Sequence, residues 1–338
     1  MRALGPVLLL LSLASCLGPE ASRAPARSPT AALPPLDHEP VIQGKKATYL
    51  TSGEPVLGIE IAGDERAYPL RILDWHAVAN DTVGRVPVAL AWCRACGSAV
   101  VYRTSTPRGT LTLAASGRFQ EGDQLLRDSQ TGTLWQQLTG KAVDGPLAGS
   151  GVELQALPVV LTTWGSWLRL HPQTRVLSLE TGARPDYPAG GLPESDTPLP
   201  VSRRSPALPE TSWIYGLVLD GTAKAYPVDR LVRDGVVNDE LAGHPVLVVW
   251  EPGADAKNRT VRAYERGDRV FGPNERAIFG ALFLVDQEGR PWRLGEEALT
   301  TADGKSLARL PGRLTYGSGW FASYPQTLIY GASEPSER

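Results

Sequence analysis

The chain contains a long stretch of itself, and that repeat constrains the fold more than any other feature. Gly58 aligns with Gly216 at an offset of 158 residues, and Ala67-Tyr68-Pro69 aligns with Ala225-Tyr226-Pro227. At the same offset Leu73 matches Leu231, Val78 matches Val236, Asn80-Asp81 matches Asn238-Asp239, Pro87-Val88 matches Pro245-Val246 and Trp92 matches Trp250. With small shifts Asp128 falls on Asp286, Trp135 on Trp292, Leu157-Pro158 on Leu310-Pro311, Trp167 on Trp320, and Pro172-Gln173-Thr174 on Pro325-Gln326-Thr327. Two units are too few to stack as a solenoid. The expectation is an internally duplicated domain with pseudo-twofold packing. Its first half covers 41–182 and its second, degenerate half covers 213–331, with a tail at 332–338. Between them, at 183–212, seven prolines exclude regular structure.

Each half reads as strand-rich with short helices, so the fold class is α+β, mainly β. High glycine and proline counts, 35 and 29, favour many turns and short strands. Residues 56–61, a turn at Gly63-Asp64 and residues 66–68 make a hairpin pattern. Leu70, Leu73, Trp75 and Val78 share one apolar face, which predicts a short helix over 70–79. Asn80-Asp81 would cap it or turn the chain, because their side chains bond nearby backbone amides. Strands are expected on both sides of Cys93 and Cys96, then at 110–114 and 125–128. A second short helix is expected over 162–170, stopped before Pro172.

The N-terminus gives an address. Arg2, an apolar run at 7–11 and then Leu13-Ala14-Ser15-Cys16 read as an export signal, 1–16, ending in a lipobox. Cys16 would carry the lipid, and the proline-, alanine- and serine-rich stretch 17–40 would be the tether. Leu17 follows the cysteine, so no aspartate retention signal is present. The expectation is an exported protein, lipid-anchored on the periplasmic face of the envelope, at the outer rather than the inner membrane. The membrane, reached through the anchor, is then a partner. A formal charge of −2 gives no reason to expect nucleic acid; a small-molecule or protein partner is not specified.

What differs between the halves is more telling than what matches. Cys93 corresponds to Glu251 and Cys96 to Ala254, while His76 corresponds to Asp234 and His171 to Tyr324. Any metal or redox site therefore belongs to the first half. Three readings of Trp92-Cys93-Arg94-Ala95-Cys96-Gly97 stand side by side. Exported thiols oxidise, so a local disulfide is the default, although closing so short a loop removes only about 2 kcal/mol of unfolded-state entropy. Thiol–disulfide exchange is a second reading; the strand-like run Ala99-Val100-Val101-Tyr102 removes the helix N-terminus that activates a thioredoxin cysteine. The third is a CxxCG metal knuckle, with copper or zinc as the cofactor, Cys93, Cys96 and His76 as ligands, and His171 as a further candidate. The softness of thiolates suits copper. Trp75, Asn80, Asp81, Trp92, Asp128 and Trp135 are the supporting positions. Asp74, Asp81 and Asp128 could supply an acid/base pair, but two of these recur in the second half and read as scaffold. The chain lacks dinucleotide, phosphate-loop, Gly-x-Ser-x-Gly and His-Glu-x-x-His motifs, so no catalytic residue is assigned beyond the redox alternative at Cys93 and Cys96.

The run from Ala67 to His76, Asn80-Asp81-Thr82-Val83-Gly84, Cys93-x-x-Cys96-Gly97-Ser98-Ala99, Leu134 to Ala142 and Thr162-Thr163-Trp164 resembles the bacterial and archaeal family DUF3179. The resemblance covers roughly 50–250. It implies a family without an assigned activity, and it supports the position of the cysteine site without naming a reaction. The family commonly carries proline after the first cysteine, where this chain has Arg94. The sequence therefore points to a membrane-tethered metal-binding module. Thiol–disulfide redox, and a non-catalytic binding module with a structural disulfide, are its alternatives.

Overall fold

The computed structural model describes residues 34–183, 186–193, 199–251, 259–273 and 281–332. The expected export signal, Cys16 and the expected tether up to residue 33 lie outside the described residues. So do most of the 332–338 tail and parts of the connector. Strands dominate, and each of the four α-helices among the described residues has seven residues. The fold is mainly β, as the turn-rich composition requires. No helix among the described residues is long and apolar enough to cross a membrane.

Both halves run through the same elements in the same order. In the first, the hairpin Pro55–Ile61 and Asp64–Pro69 leads into helix Leu70–His76, then strands Val78–Val83, Val86–Cys93 and Ser98–Arg103. In the second, Trp213–Leu219 and Thr222–Pro227 lead into helix Val228–Asp234, then Val236–Leu241, His244–Trp250 and Val261–Glu265. The matched residues make matched bonds. The Tyr68 hydroxyl donates to Asp81 at 2.5 Å, and that of Tyr226 to Asp239 at 2.9 Å. Trp135 Nε1 donates to Asp128 at 2.9 Å and Trp292 Nε1 to Asp286 at 3.0 Å. Trp167 Nε1 reaches the Thr174 hydroxyl at 2.8 Å, and Trp320 Nε1 reaches Thr327 at 2.9 Å. Asn80 and Asn238 each exchange two bonds with a backbone residue, Leu113 and Phe271 respectively.

The helix over 70–79 is shorter than its apolar spacing predicts. It ends at His76 because Ala77 takes φ +61° and returns its N–H to Leu73. Val78 then starts a strand that carries Asn80-Asp81 inside it, so these residues neither cap nor turn the chain. Pairing with Val86–Cys93 outweighs the local preference for a cap. The second helix likewise starts late, at Trp164. Thr163, still extended, caps it by accepting from Ser166 N–H, and Val160–Thr163 is a strand. The expected tether boundary at 40 is also too late. Leu36–Asp37 pairs in parallel with Ala79–Asn80, and Leu36 is buried in the core. The described connector residues carry no strand or helix.

The halves do not pack as separate globules. One sheet runs through Val78–Val83, Val86–Cys93 and Ser98–Arg103, crosses to Arg313–Tyr316, and continues through Trp213–Leu219 and Thr222–Pro227. The largest apolar cluster draws Leu57, Tyr68 and Trp92 from one half and Tyr226, Val248 and Leu314 from the other.

Candidate functional site

The cysteine turn joins Val86–Cys93 to Ser98–Arg103. Cys93 and Cys96 are bonded to each other, with Cα atoms 5.2 Å apart, and both residues are buried. The turn fits a knuckle in one respect: the Cys96 N–H lies 3.1 Å from Cys93 Sγ. Gly97 takes φ +60°, and a Cβ there would press within 3.0 Å of Tyr316 and Trp213. Sulfurs joined to each other are not thiolate ligands.

His76 is turned toward Pro34 and Tyr187. Its Nδ1 lies 2.6 Å from the Pro34 carbonyl and its Nε2 lies 2.6 Å from the Tyr187 hydroxyl. A carbonyl can only accept, so Nδ1 carries a proton and donates to it, and in the neutral ring Nε2 then accepts from the tyrosine. Both nitrogens are thereby used, and the expected grouping of His76 with the two sulfurs is replaced by a tie to Pro34 and Tyr187. The supporting residues are scaffold in geometry. Trp92 Nε1 donates to Asp74 at 2.8 Å, Asp128 collects Thr131 and Trp135, Asp81 collects Tyr68 and Arg66, and Trp75 packs against the main core.

The histidine that does meet other donors is His171. Among the described residues, Glu60, Glu65 and His171 are the one group of three potential metal ligands, with one donor atom from each lying within 4.8 Å of the others. Glu60 is the penultimate residue of the first hairpin strand and Glu65 the second residue of the next, and the two are paired across the hairpin. His171 follows helix Trp164–Leu170, with its backbone N–H bonded to the Trp167 carbonyl and its ring stacked on the Trp167 indole at 3.9 Å. That stacking leaves the ring little freedom. Its Nδ1 lies 2.9 Å from Glu65 and its Nε2 lies 3.7 Å from Glu296.

These donors open into a cavity of about 600 Å³ between the halves, bounded on the far side by Arg262, Arg293, Glu296 and Glu297. Its size suits a small ligand. A buried ion network backs it. Arg262 bonds Glu251 at 2.7 Å and Glu296 at 2.6 Å, and Arg309 bonds Glu296 at 2.6 Å. Burial alone would raise the Glu296 carboxyl, but Arg262 and Arg309 outweigh it and hold the pKa well below the usual range. Burial works against the His171 imidazolium, and Glu296 with Glu65 outweighs that too, so its pKa stands above the ordinary histidine value. The Glu60 carboxyl is pushed up, chiefly by burial and against the pull of His171. The site thus pairs one carboxylate held ionised with another biased toward its acid.

Glu60, Glu65, Arg262 and Glu296 were not singled out by motif or spacing. A signal existed for two of them: at the offset of 158, Glu60 faces Val218 and Glu65 faces Ala223. The asymmetry that marked His171 marks these as well.

A strand-rich molecule with two matching halves and an acid-and-histidine cavity between them is the class of protein that fold and site define. The model of the family described as a protein of unknown function, DUF3179, matches residues 30–327. The chain belongs to that family. No curated protein matches it, and no solved structure does.

Proposed function

We propose that this is an exported, lipid-anchored metal-binding protein, built by tandem duplication, whose cation is held by Glu60, Glu65 and His171. One observation carries the reading: these three side chains converge at the wall of the cavity. A set of two carboxylates and one imidazole suits zinc, and three protein ligands leave a coordination position for a small ligand. Copper, favoured by soft thiolates, loses that advantage once Cys93 and Cys96 are joined. The repeated bonds in the two halves support the duplication, and the lipobox-like Leu13-Ala14-Ser15-Cys16 supports the address.

The test uses full-length protein recovered from the cell-envelope fraction, stripped of metal and titrated with Zn²⁺ and Cu²⁺ by calorimetry. One equivalent of Zn²⁺ is expected, weakened at least about 100-fold in His171→Ala and Glu65→Gln and unchanged in the Cys93→Ser/Cys96→Ser double variant. Binding lost with the cysteines and kept without His171 would return the cation to the knuckle. Recovery of the chain in the cytosol would sink the address.

Thiol–disulfide exchange is the second reading, and the bonded pair beside Arg94 favours it. The burial of both cysteines places it behind the first.

A further inference from the structure

The Cys93–Cys96 bond lies outside the cavity, and as a staple for so short a loop it adds little stability. Its surroundings suggest another use. Arg94, inside the four-residue loop, donates through one nitrogen to Asp74 at 2.7 Å and to the Gly191 carbonyl at 3.1 Å. The stretch 186–193 of the connector is also held through residues of its own. The Tyr187 hydroxyl meets both His76 Nε2 and the Thr181 hydroxyl. The Pro193 carbonyl accepts from the Tyr316 hydroxyl at 3.2 Å. Gly190 lies close enough to Asp74 that a Cβ would stand 3.3 Å from its carboxylate. The turn itself is docked on the second half, where the Cys96 carbonyl accepts from Tyr316 N–H at 3.3 Å. Connector, cysteine turn and second half therefore meet in one polar clasp over the main core, where Tyr187 is buried and Leu192 packs.

We propose that the Cys93–Cys96 disulfide is the redox-sensitive pin of this clasp: oxidised, it fixes the turn so that Arg94 holds the 186–193 strap; reduced, it releases the strap. The reductant is a small dithiol, because the burial that disfavours exchange with another protein leaves only a small thiol able to reach the pair. One of its thiolates attacks a cysteine sulfur to form a mixed disulfide, and its second thiol resolves that bond. Cys93 and Cys96 leave as two thiols, and the dithiol leaves as a disulfide. A four-residue loop without its crosslink gains backbone freedom at Arg94 and Ala95, and two hydrogen bonds from a half-exposed arginine do not replace it.

Hydrogen exchange read by mass spectrometry tests this on the full chain, oxidised and after dithiothreitol, with Arg94→Ala kept oxidised as the second arm. Peptides spanning 186–193 should exchange at least about 10-fold faster in the reduced protein and in oxidised Arg94→Ala. Peptides from the hairpin Trp213–Leu219 and Thr222–Pro227 should stay unchanged. Equal protection of 186–193 in all three forms would overturn the proposal. So would loosening on reduction that Arg94→Ala does not reproduce, since the bond would then act on the strap without the arginine.

Discussion

Asp123 shows how much one side chain can bias a fold. It starts the strand Asp123–Asp128, is fully buried, and accepts the Leu138 N–H at 2.7 Å through one oxygen, while the other has no hydrogen-bond partner. Burial pushes its pKa up to about 7, against the Leu138 and Gln124 amides and the Arg313 guanidinium. The unfolded carboxyl titrates near 4, so between roughly pH 4 and pH 7 the native state binds the extra proton. This contribution is fully present below the unfolded pKa and is lost as pH rises through the folded one. It amounts to something on the order of 4 kcal/mol across the window. Subtracting the Asp123→Asn pH–stability curve from that of the wild type should leave a fall across pH 4–7 that is flat outside it. Parallel curves would refute the assignment. At this scale sequence and structure part company over the two histidines. Nothing in the primary sequence distinguishes His76, tied between Pro34 and Tyr187, from His171, which meets Glu60 and Glu65, because the partners lie up to 111 residues away.

At the scale of elements, the repeated glycines explain why the same pattern recurs. A Cβ on Gly58 would stand 2.2 Å from the Trp167 ring, and one on Gly216 would stand 2.3 Å from Trp320. Each glycine lets a seven-residue helix lay its tryptophan flat against the hairpin strand, and each indole is then fixed by its threonine. Both rings are buried and neither can retreat. Gly58→Ala and Gly216→Ala should each cost about 1–3 kcal/mol in guanidinium unfolding. Gly58→Ala should also weaken metal binding, because Trp167 is the surface on which His171 stacks. Gly216→Ala should leave metal binding alone; equal losses from both would mean that the stack does not position the site. The hairpins and the helix faces were legible because they depend on local period and on the repeat, whereas the contacts of Gly58 with Trp167 and of Gly216 with Trp320 join residues more than 100 apart and appear only in the structure. The helix ends were not. Ala77 and Thr163 look helical by neighbourhood, and only the pairing of Val78–Val83 and Val160–Thr163 with other strands settles them.

For the whole molecule, the shared sheet and the ion network tie the halves into one unit. Arg313–Tyr316 bonds to Trp213–Leu219 on one side and meets Ser98–Arg103 on the other, so this one sheet is complete only with both halves, while each half keeps further sheets of its own. The cavity shows the same dependence. Its donors Glu60, Glu65 and His171 come from the first half, while Glu296, which faces the far side of the His171 ring, comes from the second. Arg262 is the centre of that arrangement, 2 % exposed and bonded to Glu251 and Glu296. Among the described residues, removing it leaves Glu251 with Arg169, 3.8 Å away, and leaves Glu296 with Arg309 and the His171 ring. Stranding buried carboxylates typically costs about 3–5 kcal/mol. Arg262→Ala should therefore lower the guanidinium midpoint by a corresponding amount, with far-ultraviolet circular dichroism and tryptophan fluorescence shifting together in a single transition. A curve that splits into two steps, with the first half unfolding at its original midpoint, would show that the halves are energetically separate. A loss below about 1 kcal/mol would show that the network adds little beyond a surface pair. Coincident transitions at a lower midpoint would identify the second half as the element that holds the first half's site in shape.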